Sequence, residues 1–288
     1  FYAGIFSAIL LVGGVVSILM HQGLNYGIDF RGGTNIQIRF KEVPNLDQLR
    51  NFFSEQNLGN VMLQTFGAVE DREILLGLSV DNPLGTGEKL TAGLREMLQP
   101  NYPEMEIRRI ETIGPKVGDE LKTSALQAIL IALGLVLIYI TFRFQWRQGI
   151  AAIITLLHDV LVVVGIFSIF DKEFTLPVIA ALLTVVGYSL NDTIVIFDRI
   201  RENISKFRKR ELLPLINQSV TETLSRTLLT SGTTLMVVLA LVFLGGEIIH
   251  DFAFALLVGV LIGTYSSIYV ASPTVLWLTK IAPPKTSD

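Results

Sequence analysis

SALQAILIALGLVLIYITF, residues 124–142, is followed after Arg143-Phe144-Gln145-Trp146-Arg147-Gln148 by GIAAIITLLHDVLVVVGIFSIF, residues 149–170, and this pair of runs decides the fold. Each run is about as long as the 20 apolar residues a helix needs to cross a hydrocarbon core. The short link between them forces two antiparallel spans. Working outward, residues 176–197 and 252–278 read the same way. Residues 227–244 are weaker, because Thr230-Ser231-Gly232-Thr233-Thr234 interrupts their first half. Such a half-polar span survives where the polar side faces other helices or a wet cavity. Upstream, residues 3–20 carry no charge and end at Met20-His21-Gln22. That run exceeds the apolar core of about 7–15 residues in a secretory signal peptide and lacks a small-residue cleavage site, so it is read as a retained anchor. With Phe1 where a methionine would stand, the chain is expected to be a piece of a longer product.

The expected fold is therefore an α-helical polytopic membrane protein with six transmembrane helices. Residues 1–23 form the first span, 24–118 a separate domain, 119–282 a five-helix membrane domain, and 283–288 a tail. Composition agrees: half the residues are hydrophobic, 17% are charged, and mean hydropathy is +0.53, a balance foreign to soluble domains. A net charge of −3 with no basic stripe argues against a nucleic-acid partner. The absence of cysteine excludes disulfides, thiolate metal sites and cysteine nucleophiles. No cofactor or metal motif is read, and no enzymatic activity is assigned.

Lysine and arginine near the span ends set the orientation. Arg143 and Arg147 lie in one loop. Arg199, Arg201, Lys206, Arg208, Lys209 and Arg210 lie in another, with Lys280 and Lys285 near the end. The opposite loops, Asp171-Lys172-Glu173 and Glu247-Ile248-Ile249-His250-Asp251, are acidic on balance. Both termini are thus expected in the cytoplasm, with 24–118 outside it. The run Arg199 to Arg210 is read mainly as a positive anchor. Residues 214–226, with Leu215, Ile216, Val220 and Leu224 on one face, are read as an interfacial helix feeding the fifth span.

The outer segment reads as an α+β unit. Ile36, Ile38 and Phe40 alternate as on a half-buried strand. Asn45 caps a helix over 45–57 striped by Leu46, Leu49 and Phe53. Residues 61–66 and 73–80 form strands around an acidic turn, 87–99 a second helix, and 105–113 a last strand. The order β-α-β-β-α-β is the ferredoxin-like one, with Ile36, Ile38, Leu49, Phe53, Leu76, Leu78, Leu94 and Ile107 as its expected core. Gly27-Ile28-Asp29-Phe30-Arg31-Gly32-Gly33 is read as a turn or bulge into the first strand; its glycines precede no helix, which argues against a phosphate loop.

An ionisable side chain inside a span costs about 2.5–3.5 kcal/mol and needs a reason. His158 and Asp159 sit in the third span and Asp192 in the fourth. Arg226 stands at the mouth of the fifth. Asp192 lies about 7–8 Å inside the cytoplasmic end of its helix, a depth the long Arg226 side chain can reach across an antiparallel hairpin. One reading is an ion pair that fixes helix register. The other is a carboxyl that loads and releases protons, with Arg226 as a counter-charge engaged when the acid is ionised. Asn191, Ser189 and the threonines that open the fifth span are the polar neighbours able to admit water. His158 and Asp159, about 100° apart on their helix, are expected to need separate partners; an interior polar pair and a relay are both open. Ala255, Gly259, Gly263, Ser267 and Ala271 form a ridge of small residues for close helix packing. Pro177 and Pro273 are read as helix-end prolines.

Several separated motifs then resemble one family. They are the Gly27 to Gly33 stretch, Ile113-Gly114-Pro115-Lys116-Val117-Gly118, and Leu157-His158-Asp159-Val160. The long run Val186-Gly187-Tyr188-Ser189-Leu190-Asn191-Asp192-Thr193 continues into Phe197-Asp198-Arg199-Ile200-Arg201-Glu202-Asn203, and Ser225-Arg226-Thr227 opens the fifth span. This sequence is similar to the SecF family of protein-export membrane proteins, in the resistance-nodulation-division superfamily. The resemblance implies a subunit of the bacterial inner membrane that works with SecD, separate or fused, beside the SecYEG channel. There it would use the proton-motive force to move preproteins outward. It also implies that the family's essential intramembrane aspartate and arginine fall on Asp192 and Arg226. Asn191, His158 and Asp159 remain candidates for a polar relay. Two other classes share some of these features. A proton-driven small-molecule or lipid exporter of the same superfamily would usually carry two six-span halves and larger outer domains. An intramembrane aspartyl protease using Asp159 and Asp192 would need the carboxylates about 3 Å apart, whereas the helix rise places them at different depths.

Overall fold

A computed structural model describes residues 2–56, 58, 61–66, 71–207 and 211–281. The expected tail 283–288, with Lys285, lies outside these residues. So do Arg208, Lys209 and Arg210, the Asn57 end of the first domain helix, and most of the acidic turn before 73.

Six helices are long and apolar enough to cross a membrane: Tyr2–Met20, Pro115–Arg143, Trp146–Ile169, Leu176–Lys206, Leu212–Leu244 and Ile248–Ile281. In chain order the elements are α1 (Tyr2–Met20), α2 (Ile28–Arg31), β1 (Gly33–Arg39), α3 (Leu46–Glu55), β2 (Val61–Phe66), β3 (Glu73–Ser79), α4 (Glu88–Leu98) and β4 (Glu106–Ile113). The membrane elements follow as α5 (Pro115–Arg143), α6 (Trp146–Ile169), α7 (Leu176–Lys206), α8 (Leu212–Leu244), α9 (Glu247–Ser266) and α10 (Ser272–Ile281). The segment read as an interfacial helix is continuous with the fifth span inside α8. Leu215 and Ile216 are buried on it, but Leu224 is exposed.

Pro273 corrects an expectation. It does not end a helix: α9 and α10 run on through a π-helical turn at Ser267–Ala271. Proline removes one backbone donor and crowds the preceding turn, and a π turn just upstream absorbs that change of register.

The four strands form one antiparallel sheet in the order β2-β3-β1-β4. Ile36 pairs with Leu76 and Thr34 with Leu78 on one side of β1, while Ile36 pairs with Ile110 on the other. The period-2 alternation sends Ile36, Ile38, Leu76 and Leu78 to one face, where Leu49 and Phe53 of α3 and Leu90, Leu94 and Leu98 of α4 cover them. Asn45 caps α3 by accepting from the Asp47 and Gln48 amides. Ile107 is partly buried rather than central, because β4 is an edge strand with a bulge opposite Gln37 and Ile38.

The glycine motif is not a plain turn. Ile28–Arg31 forms a single helical turn that packs on α5 and ends at Gly32, whose φ is 76°. Gly33 has φ 156°, and a Cβ there would lie 2.5 Å from the Leu78 carbonyl oxygen. The second motif meets the first, since a Cβ on Gly118 would lie 2.8 Å from the Phe30 carbonyl oxygen. The two stretches are thus one joint that fastens the sheet to α5. Gly33→Ala is expected to cost about 1–3 kcal/mol through this overlap. A lowered melting midpoint of the purified full chain checks it; an unchanged midpoint would contradict the joint.

The sheet face opposite the helices borders the loop at 171–175. Asn25 accepts from the Phe174 amide at 2.7 Å, Gly27 donates to the Phe174 carbonyl at 3.0 Å, and Asp29 accepts from the first amide of α7, Leu176, at 2.9 Å. Lys172 ties this loop to the start of α9 through Asp251 at 2.7 Å.

Candidate functional site

The small-residue ridge of α9 packs against α7: a Cβ on Gly259 would fall within 2.1 Å of Val185, and one on Gly263 within 3.0 Å of Ser189. This close approach brings hydroxyls of α9 and α8 to the acids of α6 and α7, and two polar clusters result.

The first surrounds Asp192, which is 3% exposed on α7. Ser231 of α8 donates to Asp192 Oδ2 at a long 3.4 Å. Thr264 of α9 donates to Ser231 Oγ at 2.7 Å, and Tyr188 donates to the same oxygen at 3.4 Å. Among the described residues, the hydroxyls of Thr193 on α7 and Thr227 on α8 are buried without a partner. Most of the threonines expected to supply polarity are used elsewhere. Thr230, Thr233 and Thr234 bond back to carbonyls of their own helix, a common habit of hydroxyls in a helix interior.

Arg226 and Asp192 are not joined. Arg226 is exposed, and among the described residues it makes no ion pair. It stands five residues before Ser231 on α8, about 7 Å along the axis. Asn191, a candidate for the relay, is exposed and takes no part in either cluster.

The second cluster corrects the expectation of separate partners. His158 Nδ1 lies 3.0 Å from Asp159 Oδ1, so the neighbours bond each other. A 100° turn on a cylinder of about 2.3 Å radius leaves adjacent side chains near enough for the proximal ring nitrogen to reach. Ser189 of α7 donates to Asp159 Oδ2 at 2.6 Å, and Ser266 of α9 does so at 2.8 Å. His158 Nε2 meets Ser7 Oγ of α1 at 3.0 Å. Ser7 lies 3.0 Å from the Tyr265 hydroxyl. Four helices meet at this pair. The two clusters are about one helical turn apart, since Ser189 precedes Asp192 by three residues on α7.

Near the start of α8 the basic stretch is a lattice rather than a bare anchor. Arg199 bonds Glu222 and Glu202, and Asn203 donates to Ser219 and Glu222 at 2.9 Å each. Among the described residues no three His, Asp or Glu side chains converge as metal ligands.

A six-helix membrane bundle with two buried carboxyls set among hydroxyls, and a small antiparallel sheet fastened to its first two spans, is the class these features define. The family model for the C-terminal part of the protein-export membrane proteins SecD and SecF matches residues 94–281, and that for the SecD/SecF GG motif matches residues 17–42. The protein translocase subunit SecF of Desulfurispirillum indicum is 49% identical over 276 residues, 94% of this chain and 87% of the relative. That of Vibrio alginolyticus is 46% identical over 94% of this chain and 85% of its own length. The crystal structure of SecDF, a translocon-associated membrane protein from Thermus thermophilus, superposes with a TM-score of 0.81 at 39% identity, covering 96% of this chain. This chain spans 38% of that larger one. The chain belongs to the SecD/SecF family of protein-export membrane proteins and is an integral, multi-pass member of it. The relatives carry the name of a translocase subunit, which favours the export reading over that of a small-molecule or lipid exporter.

Sequence reasoning missed Ser7, Thr264, Ser266 and Tyr265, and named Ser231 only as part of the polar opening of the fifth span. A serine or threonine in an apolar run gives no sign of whether it bonds its own helix or a distant acid.

Proposed function

We propose that this chain is the SecF subunit of a translocase accessory complex in the bacterial inner membrane. It would pair with SecD beside the SecYEG channel and use the proton-motive force to draw preproteins outward, with no enzymatic step of its own. Asp192 is the proton-carrying residue and Arg226 its counter-charge. The observation that carries this reading is a buried carboxyl held, among the described residues, by one long hydroxyl bond, with the nearby arginine of the same helix hairpin making no ion pair with any of them. An ionised Asp192 draws Arg226 inward along α8; a protonated one leaves it free. One proton moving down 100 mV supplies about 2.3 kcal/mol, enough to bias two arrangements of the bundle by some tens-fold.

The Arg226→Lys variant is expected to retain part of the gradient-driven translocation of the reconstituted complex, because lysine keeps the charge but lacks the planar fork. Full activity in Arg226→Ala would remove the arginine from the mechanism.

The ferredoxin-like unit lies outside the cytoplasm in this reading, with both termini inside, as the lysine and arginine bias requires. Cysteines placed at Gln56 and Lys206 of this cysteine-free chain are expected to label from opposite sides with an impermeant reagent. Labelling from one side would overturn the orientation.

A further inference from the structure

The hydroxyl chain that ends on His158 determines where its protons lie. Tyr265 has one hydroxyl proton and gives it to the Ala3 carbonyl, 2.5 Å away. In its 3.0 Å contact with Ser7, Ser7 is therefore the donor. Ser7 then has no proton left for His158 Nε2, 3.0 Å away, so Nε2 carries hydrogen and donates. That leaves Nδ1 facing Asp159 Oδ1. A bare nitrogen against a carboxylate would oppose two acceptors, so one proton must occupy this bond. It sits on an imidazolium facing a carboxylate, or on a carboxyl facing a neutral ring. Either way the pair carries no net charge. Asp159 Oδ2 is filled by Ser189 and Ser266. From α7, α9 and α1 the pair is faced by hydroxyls, with the Tyr265 phenol the one further titratable group in contact among the described residues.

This pair sits where α1 is attached. Ser7 meets His158 and Ser17 meets Ser168 with the same sequence offset of 151. Between them Gly14 and Gly165 touch, a Cβ on Gly14 falling 2.7 Å from the Gly165 Cα. A constant offset means that α1 and α6 run parallel and in register. Along α1 only Gly14 and Ser17 are buried; Leu10 and Leu11 are half-buried against the core and Phe6 meets the Tyr265 ring, so the polar contacts add to a narrow apolar seam.

We propose that His158 and Asp159 together form a second proton-binding site, distinct from Asp192, and that the proton they share latches α1 onto the core of the bundle. When the proton leaves the Nδ1–Oδ1 bond for water, a neutral imidazole and a carboxylate remain, with net charge −1 in a buried seam between helices. Two acceptors then face each other, the ring turns away, its bond to Ser7 is lost, and α1 is released. The sheet domain hangs from α1 and α5, so the latch sets how firmly the domain is anchored.

The test uses the full chain with its SecD-like partner in lipid vesicles, with spin labels on cysteines at Ile9 and Leu161, both exposed on α1 and α6. The expected result is one short distance at low pH and a growing longer population as pH rises, by up to about tenfold per pH unit, the slope of one-proton linkage. Asp159→Asn should abolish that response, whereas Asp192→Asn should leave it in place. Tyr265→Phe, a mild change that removes the hydroxyl holding Ser7, should raise the long-distance population even at low pH. An unchanged distance over the whole range in which the complex stays assembled would overturn the latch. A response lost in Asp192→Asn would assign the proton to Asp192 instead and overturn it equally.

Discussion

Asp192→Asn is expected to abolish the stimulation of preprotein translocation by a proton gradient while leaving chain level and partner assembly unchanged. Asparagine has nearly the shape of aspartate, and its carbonyl can still accept from Ser231, which now bonds Asp192 Oδ2. Burying an amide in place of an acid removes a desolvation cost rather than adding one, so packing of α7 on α8 should survive. What disappears is the proton. Without it the gradient has nothing to act on at this site, and the bias of about 2.3 kcal/mol per 100 mV is lost. A purely register-fixing ion pair would give the opposite pattern: weaker assembly, with activity following protein amount. In this structure Asp192 is already apart from Arg226, so no such pair is present to break. The measurement is translocation with and without a gradient, normalised to assembled complex. A complete response in the Asn variant would sink the assignment.

The second large effect is a pH dependence at the junction of sheet and bundle. Glu173 lines a cleft of about 370 Å³ with Asn25, Arg31, Met62 and Gly77, and its Oε2 is buried without a partner among the described residues. Burial, and then the charge of Asp251, push its carboxyl up to about 7 from the ordinary 4.5, with Arg31 opposing. When the loop is docked the acid therefore ionises near 7; when it is undocked, near 4.5. Below about 4.5 the group is neutral in both states and costs nothing. As pH rises from 4.5 to 7 the undocked form ionises first, so docking weakens, and above 7 the penalty is constant. The full shift corresponds to about 3 kcal/mol, which water at the cleft rim reduces to about 1–2 kcal/mol. Glu173→Gln should therefore stabilise the full chain above pH 7, leave it unchanged near pH 4, and flatten the curve between. Melting midpoints across that range check it. Parallel curves for the two proteins would contradict the burial argument.

Local information carried much of the architecture. The apolar runs at 124–142 and 149–170 became α5 and α6 because the need to pair every backbone amide inside a bilayer leaves a helix as their one solution. The alternation of Ile36, Ile38 and Phe40 set the buried face of β1 because side chains of a strand point to opposite faces in turn. Asp192, Asp159 and His158 were visible as polar residues in apolar company. Tertiary structure decided their partners. Ser231 lies 39 residues from Asp192, Ser266 lies 107 from Asp159, and Ser7 lies 258 from Tyr265. No periodicity links such pairs, since a hydrogen bond depends on placement within a few tenths of an ångström and only the packing of α1, α6, α7, α8 and α9 supplies it. The same holds for Arg226. The sequence by itself led to the expectation that it meets Asp192, but whether the charges touch depends on the axial position of α8 against α7, which close-packed helices set together and no single helix encodes.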